Sequence, residues 1–304
     1  MSAVISVTRA GPFATIQDLG RFGMLRHGIS ASGPMDRGAF MRAGASLGEA
    51  GTAGIEITES GLAFTVEDGN VSVGVDGGDF SFKVNGRPHS WPGTVDLEPG
   101  DKLDIAPGRW GNYGYLRFDA EIDVPLILGS RSTNSTVGLG GLEGRALHPG
   151  DRLQFHALKG NLPITGKISP TPATDGPIRI IWGLHADLFP TRLRNAFLEA
   201  PFVISPRLDR MGVRLTDPNG IFVDSVLSLV SDAIVPGDIQ ILGDGTPIVL
   251  MRDHQPTGGY PRIATILSAD LDRFAQMRPG SRINFQSISL RRAEALRTGG
   301  PPKS

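Results

Sequence analysis

The sequence contains no cysteine, so disulfides, thiolate nucleophiles and thiolate metal sites are excluded. Its histidines are scattered along the chain, at His27, His89, His148, His156, His185 and His254. Such a distribution argues against a histidine-based metal site, because the ligands of a structural or catalytic metal usually recur at short spacings. We therefore predict no metal centre.

The sequence also lacks an excess of either charge. Thirty basic residues face 31 acidic ones, and no long block of one sign occurs. Binding to nucleic acid or to a membrane surface therefore has no electrostatic support. The longest apolar runs, at 178–182 and 247–251, are far shorter than the roughly 20 residues of a membrane-spanning helix. The first residues show no signal-peptide pattern, so we expect a cytoplasmic protein.

The common catalytic motifs are missing as well. Gly166-Lys167 is followed by Ile168 and lacks the upstream glycine of a phosphate-binding P-loop. There is no G-x-S-x-G, no H-E-x-x-H and no dinucleotide-binding glycine fingerprint. No lysine lies between methionines, as it does in the usual biotin attachment sequence. If the protein acts on a nucleotide or on biotin, much of that machinery must lie on another chain.

The sequence has many strand and turn signals. The 41 glycines and 23 prolines follow no fixed period and indicate a globular protein rich in turns. Residues 71–84 alternate apolar and polar side chains, which is typical of strands with one buried face, and Asn85-Gly86 follows as a turn. Residues 238–251 place Asp244-Gly245 between two apolar runs and predict a hairpin.

Three segments have helical spacing. Residues 33–48 are the first, with Ser32 able to cap the helix and Pro34 in its first turn. The second, residues 185–200, contains Pro190, which would start or kink it. In the third, residues 268–280, Ser268 is the predicted N-cap and Pro279-Gly280 the stop signal.

A short motif occurs four times. Pro-Gly-Asp or Pro-Gly-Ser precedes an apolar run at 98–105, 148–155, 235–242 and 278–285. Each copy predicts a turn that begins a strand. The spacing suggests two β-rich halves, 1–158 and 178–304, joined by a linker or crossing loop at 159–177 that is rich in Pro, Thr and Gly. Pro-Gly-Asp is also a common turn, so both interpretations, duplication and coincidence, remain open.

Four polar clusters stand between the predicted strands. They are TIQDLGRFG (15–23), SASGPMD (30–36), LGSRSTNS (128–135), and SPRLDRMGVRL (205–215) paired with HQPTGGYPR (254–262). Each also has a purely structural explanation. Asp18 and Arg21 could form a surface ion pair, Ser32 and Asp36 could cap a helix, and Asp209 and Arg210 could belong to a solvated loop.

Taken in order, these motifs resemble the allophanate hydrolase subunit 2 family, also called the 5-oxoprolinase C subunit or biotin-dependent carboxyltransferase family. The likeness extends from about residue 5 to about residue 290. It implies a mainly β fold of tandem cyclophilin-like β-barrels with a few short helices. Two segments depart from the family pattern and bear on substrate fit: YLRFDAEIDVP (115–125), where the family has small residues, and HQPTGGYP, where Pro256 interrupts the usual Gln-Thr-Thr.

The resemblance also implies a site. Asp18, Asp36 and Asp209 are the candidate catalytic carboxylates, and either Asp18 or Asp36 would handle a proton. Gln255, Thr257, Gly258 and Gly259 would donate to a carbonyl or phosphoryl oxygen, with Tyr260 as a wall. The remaining candidate substrate-binding residues are Gln17, Arg21, Ser32, Arg131, Ser132, Arg210 and Gln240.

The implied function is one subunit of an ATP-dependent 5-oxoprolinase, which converts 5-oxoproline to glutamate. Its partners would be the B subunit of 5-oxoprolinase (an allophanate hydrolase subunit 1-type protein) and the A subunit of the same enzyme, and the chain would be inactive alone. The complex would use ATP. One alternative is the carboxyltransferase subunit of a biotin-dependent urea- or guanidine-type carboxylase, with biotin on another chain. A second alternative is a non-catalytic regulator of a subunit 1-type protein.

Overall fold

The computed structural model describes residues 2–158, 176–222 and 229–298. Its contacts divide the chain into two compact units. The first comprises Met1–Gly23 and Ala31–Thr171, and the second comprises Met24–Ser30 and Pro172–Ser304. Nearly all of the predicted linker at 159–177 lies outside the described residues, so that interpretation stays a prediction.

The described residues of the first unit form two antiparallel sheets and one α-helix. Their order is β11-β12-β1-β4-β9-β6-β7 in the larger sheet and β2-β3-β10-β5-β8 in the smaller. The elements are β1 (Ala3–Ala10), β2 (Thr15–Gln17), α1 (Arg37–Ala45), β3 (Gly54–Thr58), β4 (Leu62–Asp68), β5 (Val71–Gly77), β6 (Phe80–Val84), β7 (Arg87–His89), β8 (Gly93–Leu97), β9 (Lys102–Pro107), β10 (Tyr113–Phe118), β11 (Glu121–Ile122) and β12 (Arg152–His156).

Alternation of apolar and polar residues builds the core of this unit. In β6, Phe80 and Phe82 are buried whereas Ser81 and Lys83 are exposed. Apolar side chains from both sheets form one buried cluster. The predicted strands within 71–84 are confirmed, but β5 and β6 belong to different sheets because the chain crosses between sheets after Gly77, whose φ is 127°.

The second unit is built around an eight-stranded sheet of order β21-β14-β15-β18-β17-β20-β13-β22, with a separate pair β16-β19. Short 3₁₀ helices cover Leu25–His27 and Ala186–Leu188. The other elements are β13 (Ile178–Trp182), α2 (Thr191–Glu199), β14 (Phe202–Leu208), β15 (Gly212–Thr216), β16 (Asp232–Ala233), β17 (Asp238–Ile241), β18 (Pro247–Leu250), β19 (Thr257–Gly258), β20 (Arg262–Ile266), α3 (Ser268–Ala275), β21 (Arg282–Ile283), β22 (Phe285–Ser287) and α4 (Leu290–Thr298).

Aromatic packing attaches α2 to this sheet. Phe197, fully buried, is the one residue of α2 that lies in the core. Its ring stacks on Phe285 with centroids 4.9 Å apart and contacts Phe202 at 5.3 Å. Burying a phenylalanine ring stabilises the folded state by about 1.5–3 kcal/mol, so this single residue supplies much of the attachment of α2.

The first helix begins later than the sequence predicted. Ser32 is not its cap, because Ser32 and Gly33 have φ of 56° and 89°, a left-handed conformation from which an α-helix cannot continue. Asp36 is the N-cap instead, and its Oδ1 accepts a hydrogen bond of 2.8 Å from the backbone N–H of Ala39. α1 therefore starts at Arg37.

The other two helices are shorter than predicted. The segment 185–200 contains the 3₁₀ helix Ala186–Leu188 and then α2 (Thr191–Glu199), and 268–280 contains α3 (Ser268–Ala275). Pro190 precedes the first residue of α2, Thr191, as a helix-starting proline should. The predicted N-cap at Ser268 is wrong by one residue. Leu267 occupies the capping position, because its carbonyl oxygen accepts the first intrahelical hydrogen bond, from Leu271.

The four Pro-Gly-Asp and Pro-Gly-Ser turns all precede strands, as predicted. Their glycines share a left-handed conformation, with φ of 93°, 96°, 94° and 85° at Gly100, Gly150, Gly237 and Gly280. The Asn85-Gly86 and Asp244-Gly245 hairpins are confirmed as well. The predicted fold class, mainly β with barrel-like sheets and a few short helices, is confirmed. Superposition of the two halves stays a prediction.

Candidate functional site

Asp18 lies directly after β2 and is 8% exposed. Ser130 Oγ and Ser132 Oγ each donate to its Oδ1 over 2.6 Å, and the backbone N–H of Gly20 donates to the same atom over 2.8 Å. The backbone N–H of Arg131 donates to Oδ2 over 2.6 Å. Burial by itself would raise the pKa of Asp18, but these four hydrogen bonds together lower it below the ordinary value. The carboxylate is therefore charged and orders the loop that carries both serines. We call Asp18, Ser130, Arg131 and Ser132 the Asp18 cluster.

Arg21 extends this cluster. Its guanidinium is buried, donates to the backbone carbonyl of Ser132 and reaches Ser32 Oγ at 3.4 Å. Because Asp18 and Arg21 are both buried, a surface ion pair between them is not the explanation of this motif. The side chain of Arg131 instead contacts Glu121 at 3.4 Å, so Arg131 contributes only its backbone N–H to the cluster.

Gln17 adds a buried acceptor beside the cluster. Its side chain is fully buried, and its Nε2 donates to the carbonyl oxygen of Thr133 over 3.1 Å and to Thr15 Oγ1 over 2.9 Å. Its Oε1 has no hydrogen-bond partner within the described parts of the chain. Buried polar atoms are rarely left unsatisfied, so this oxygen is suited to accept a hydrogen bond from a ligand.

Asp36 lies in a second buried group, with Glu56 and Tyr115. The Tyr115 hydroxyl donates to Glu56 Oε2 over 2.9 Å and accepts from the backbone N–H of Asp36 over 2.7 Å. Burial, followed by the charges of Glu56 and Asp36, raises the pKa of Tyr115 well above its ordinary value. Tyr115 is thus a neutral phenol. The sequence reasoning missed Glu56 and Tyr115, although a glutamate between Ile55 and Ile57 in a buried strand was an available signal.

In the second unit, Arg210 and Asp253 form a buried bidentate ion pair. Arg210 Nε donates to Asp253 Oδ2 over 2.8 Å, and a terminal nitrogen donates to Oδ1 over 3.2 Å. The backbone N–H of Asp253 also donates to the Arg210 carbonyl over 2.7 Å. The pair therefore fixes the β14–β15 hairpin against the segment that enters HQPTGGYP.

His254 is a further residue that sequence reasoning left out of the site. It is 3% exposed, and its Nδ1 lies 2.5 Å from the carbonyl oxygen of Gln255. A carbonyl oxygen can only accept, so Nδ1 carries the hydrogen. Burial is the main cause that lowers the pKa of His254, and it outweighs the opposing effects of Gln255, Asp238 and Asp253. His254 is thus a neutral imidazole that orients Gln255.

The HQPTGGYP segment contains a short strand as well as a turn. β19 pairs with β16 through Thr257↔Ala233 and Gly258↔Asp232. A Cβ on Gly258 would lie 2.4 Å from Nε2 of Gln240, which itself donates to the Tyr260 carbonyl over 3.3 Å. Gly258 is therefore required for the close approach of buried Gln240.

A cavity of about 360 Å³ brings Asp209 and Gln255 together. Its other lining residues come from β14, β15 and β18 and from the turn between the first two: Pro206, Arg207, Leu208, Met211, Gly212, Arg214, Ile248 and Leu250. Asp209 Oδ1 accepts from the backbone N–H groups of Met211 and Gly212, which holds the carboxylate at the hairpin turn. Asp209 itself is exposed, and its Oδ2 takes part in neither of these hydrogen bonds.

The predicted site residues thus form separate groups. In the first unit the structure brings together Gln17, Asp18, Arg21, Ser32, Arg131 and Ser132. In the second unit Asp209 shares a cavity with Gln255, and Gln240 contacts Gly258 and Tyr260. Asp36 belongs to the Glu56 group, and Arg210 is engaged by Asp253. Thr257 and Gly259 flank Gly258 in the segment itself.

Neither a membrane-spanning helix nor a set of metal ligands occurs among the described residues. No helix within 2–158, 176–222 or 229–298 is long and apolar enough to span a membrane. Across the same ranges, no three His, Cys, Asp or Glu side chains are placed to hold a metal ion together.

Comparison with known proteins identifies the family of this chain. The family model described as "Carboxyltransferase domain, subdomain A and B" matches residues 27–287, most of the chain. The chain belongs to the carboxyltransferase-domain family. The predicted resemblance is confirmed.

Several members of the carboxyltransferase-domain family match nearly the whole chain. It is 34% identical to the 5-oxoprolinase C subunit of Haemophilus influenzae over 93% of this chain and 91% of that protein. Identity to the 5-oxoprolinase C subunit of Escherichia coli is also 34%, over 95% of this chain and 93% of the relative. A urea amidolyase of Lachancea kluyveri is 29% identical over 96% of this chain and 17% of that protein.

Solved structures of the same family match the fold. The Kluyveromyces lactis urea amidolyase superposes with a TM-score of 0.86 and 27% identity over 97% of this chain. The urea carboxylase of the same organism superposes with a TM-score of 0.85, also at 27% identity, over 97% of this chain and 28% of that one. This chain spans about a fifth of the urea amidolyase, 19% of its length.

Proposed function

We propose that this chain is the carboxyltransferase-domain subunit of an ATP-dependent 5-oxoprolinase, which opens 5-oxoproline to glutamate together with partners of the A and B types. The observation that carries the proposal is 34% identity to two bacterial C subunits over more than nine tenths of both chains. Identity to the urea amidolyases is lower, at 29%.

The reaction sets a demanding chemical problem. The ring amide of 5-oxoproline is planar, and its resonance makes the carbon a poor electrophile and the nitrogen a poor base. A catalyst must hold this amide, polarise its carbonyl oxygen and supply or remove a proton at nitrogen. ATP supplies the driving force in the complex, because opening an unstrained lactam is unfavourable.

The second unit offers groups for these tasks in one cavity. We assign recognition of the amide to Gln255, whose backbone is oriented by His254. Among the three candidate carboxylates Asp209 is the one beside Gln255, so we assign proton handling to Asp209. Thr257, Gly259 and Tyr260 extend the same segment and would position the substrate.

The groups of the first unit have positioning roles in this proposal. Asp18 accepts four hydrogen bonds and has a lowered pKa, properties of an orienting carboxylate and of a weak base. Asp36 caps α1, so its Oδ1 already accepts a hydrogen bond from the backbone of that helix. Gln17 Oε1 is a buried acceptor in the described part of this unit that a ligand N–H would satisfy.

A second candidate function is supported by the solved structures. Superposition on urea amidolyase and urea carboxylase with TM-scores of 0.86 and 0.85 favours a carboxyltransferase subunit of a biotin-dependent carboxylase. In that case biotin would be carried on another chain, since no lysine here lies between methionines.

Co-expression with A- and B-type subunits tests the proposal. The purified complex should release phosphate and glutamate when given ATP and 5-oxoproline, and the single chain should release neither. Asp209→Asn should reduce turnover at least tenfold with partner binding intact, whereas Asp101→Asn, at a strand-starting turn of the first unit, should leave turnover unchanged. Biotin-dependent carboxylation of urea without glutamate formation would establish the second candidate instead. Full turnover by the single chain would contradict the requirement for partners.

A further inference from the structure

Two arginines occupy neighbouring positions on adjacent strands of the second unit. Antiparallel β14 and β15 pair through Leu208 and Val213, and their register shifts between Ile204 and Leu208. Arg207 lies in this irregular stretch of β14, and Arg214 follows Val213 on β15. Both side chains line the same cavities, which places them on one face of the hairpin. We call Arg207 and Arg214 the arginine pair. Two positive charges that line the same cavities repel each other, so this arrangement needs an explanation.

Nearby carboxylates form no ion pair with the arginine pair. Neither guanidinium makes a salt bridge or a side-chain hydrogen bond with any residue in the described ranges. The acids that line the same cavities are engaged in backbone turns: Asp209 with the hairpin N–H groups, Asp217 with the N–H groups of Asn219 and Ile221, and Asp244 with the N–H of Thr246. Among the residues that the structure describes, no side chain competes with a ligand for these guanidinium donors.

Asp244 is the carboxylate that feels the charge of Arg214. Hydrogen bonds from Thr246 are the main cause that lowers the pKa of Asp244, and the positive charge of Arg214 adds a smaller contribution. Arg214 therefore lies near this carboxylate without donating to it. A ligand anion between the two arginines would meet an Arg214 guanidinium that interacts with Asp244 only through space.

Two adjacent cavities give that ligand room. The arginine pair lines both the cavity of about 360 Å³ that contains Asp209 and Gln255 and a neighbouring one of about 350 Å³. Arg214 is half-buried, and Arg207 is exposed. Guanidinium groups bind carboxylates through paired N–H donors, so two of them on one face form a suitable anion site.

We propose that the arginine pair binds the carboxylate of the substrate, so that this site takes an amide bearing a carboxylate in preference to a neutral amide. The proposal rests on the proposed function and refines it. With the carboxylate held by Arg207 and Arg214, the ring amide of 5-oxoproline lies in the same cavity as Gln255. Urea and guanidine lack a carboxylate and would leave both guanidinium groups without a partner. A site built for an anion therefore binds these two compounds less well than 5-oxoproline.

Kinetics of the reconstituted complex test the proposal. Arg207→Gln and Arg214→Gln should each raise the KM for 5-oxoproline about tenfold, and the double variant should raise it further, with kcat changed less than about threefold. Arg282→Gln is the matched control, because Arg282 is an exposed arginine of the same sheet that does not line either cavity. Its KM should stay within about twofold of wild type. Should the double variant fail to fold, the single variants decide.

A binding experiment separates this inference from the proposed function. Calorimetry on the wild-type complex should show 5-oxoproline binding at least tenfold tighter than its neutral analogue 2-pyrrolidinone. Both single variants should reduce that difference, and the double variant should abolish it. If the complex never forms glutamate, the proposed function fails, and inorganic phosphate then serves as the probe. Phosphate should raise the Tm of the wild-type chain and of Arg282→Gln more than that of the double variant.

Two outcomes would overturn the anion site. One is an unchanged KM together with an unchanged phosphate response in the variants. The other is loss of partner co-purification in the single variants with substrate preference retained, which would identify the arginine pair as a docking surface.

Discussion

Replacing Asp18 with asparagine removes a charge from the centre of the Asp18 cluster and keeps its shape. The carboxylate accepts three hydrogen bonds at Oδ1, two of them 2.6 Å long, and one of 2.6 Å at Oδ2. An asparagine that keeps its oxygen toward the serines turns its NH₂ toward the backbone N–H of Arg131. Two donors then face each other, and a buried N–H loses its acceptor.

The size of the expected stability loss follows from these four hydrogen bonds. An unsatisfied buried donor costs about 1–3 kcal/mol. The other three hydrogen bonds change from charge-assisted to neutral, which halves their strength and costs roughly 0.5–1 kcal/mol each. We therefore expect Asp18→Asn to lower the free energy of unfolding of the first unit by about 2.5–6 kcal/mol. Urea denaturation at pH 7, followed by circular dichroism, measures this value.

The pH dependence gives an independent check. The pKa of Asp18 is lowered on folding, so its contribution is present above the unfolded value of 3.8 and is lost as pH falls through the folded pKa. The stability difference between wild type and Asp18→Asn should accordingly shrink in that acid range. Asp101→Asn is the control, because Asp101 is a more exposed turn carboxylate, and it should cost under about 1 kcal/mol. An Asp18→Asn effect no larger than that of the control would refute the reasoning.

Three further changes test the second unit. Asp253→Asn should destabilise the fold by about 3–5 kcal/mol in urea denaturation, because Arg210 loses its buried carboxylate; an effect below about 1 kcal/mol would contradict this. Gly258→Ala should lower the free energy of unfolding by about 1–2 kcal/mol, because the added Cβ displaces Gln240. In a chain that already carries Gln240→Ala, the same Gly258→Ala change should be nearly neutral; full additivity of the two changes in this double-mutant cycle would rule out the contact. The pKa of His254 is lowered on folding, so its stabilisation is present above the unfolded value of 6.5 and lost as pH falls toward the folded pKa. The urea midpoint of His254→Gln should therefore fall less than that of wild type between about pH 7.5 and about pH 5, and equal slopes would exclude a buried neutral imidazole.

Local sequence determined the features that depend on near neighbours. The alternation of Phe80 and Phe82 with polar residues was sufficient to predict β6, because side chains on a strand point to opposite faces in turn. The Pro-Gly-Asp turns were predictable for a similar reason, since glycine adopts the left-handed conformation that each turn requires. The order of the polar motifs was specific enough to indicate the family.

Only the tertiary structure could assign chemical states to the candidate residues. The serines that bind Asp18 are 112 and 114 residues away in sequence, and no local pattern reports that distance. Burial lowers the pKa of His254 and so keeps its imidazole neutral, whereas four donors keep Asp18 ionised. The same limit explains Ser32, whose cap prediction failed because its left-handed backbone is set by the surrounding fold. Strand periodicity and turn conformation are properties of adjacent residues, but a pKa or a hydrogen-bond partner depends on which distant strands meet, and that is decided by packing.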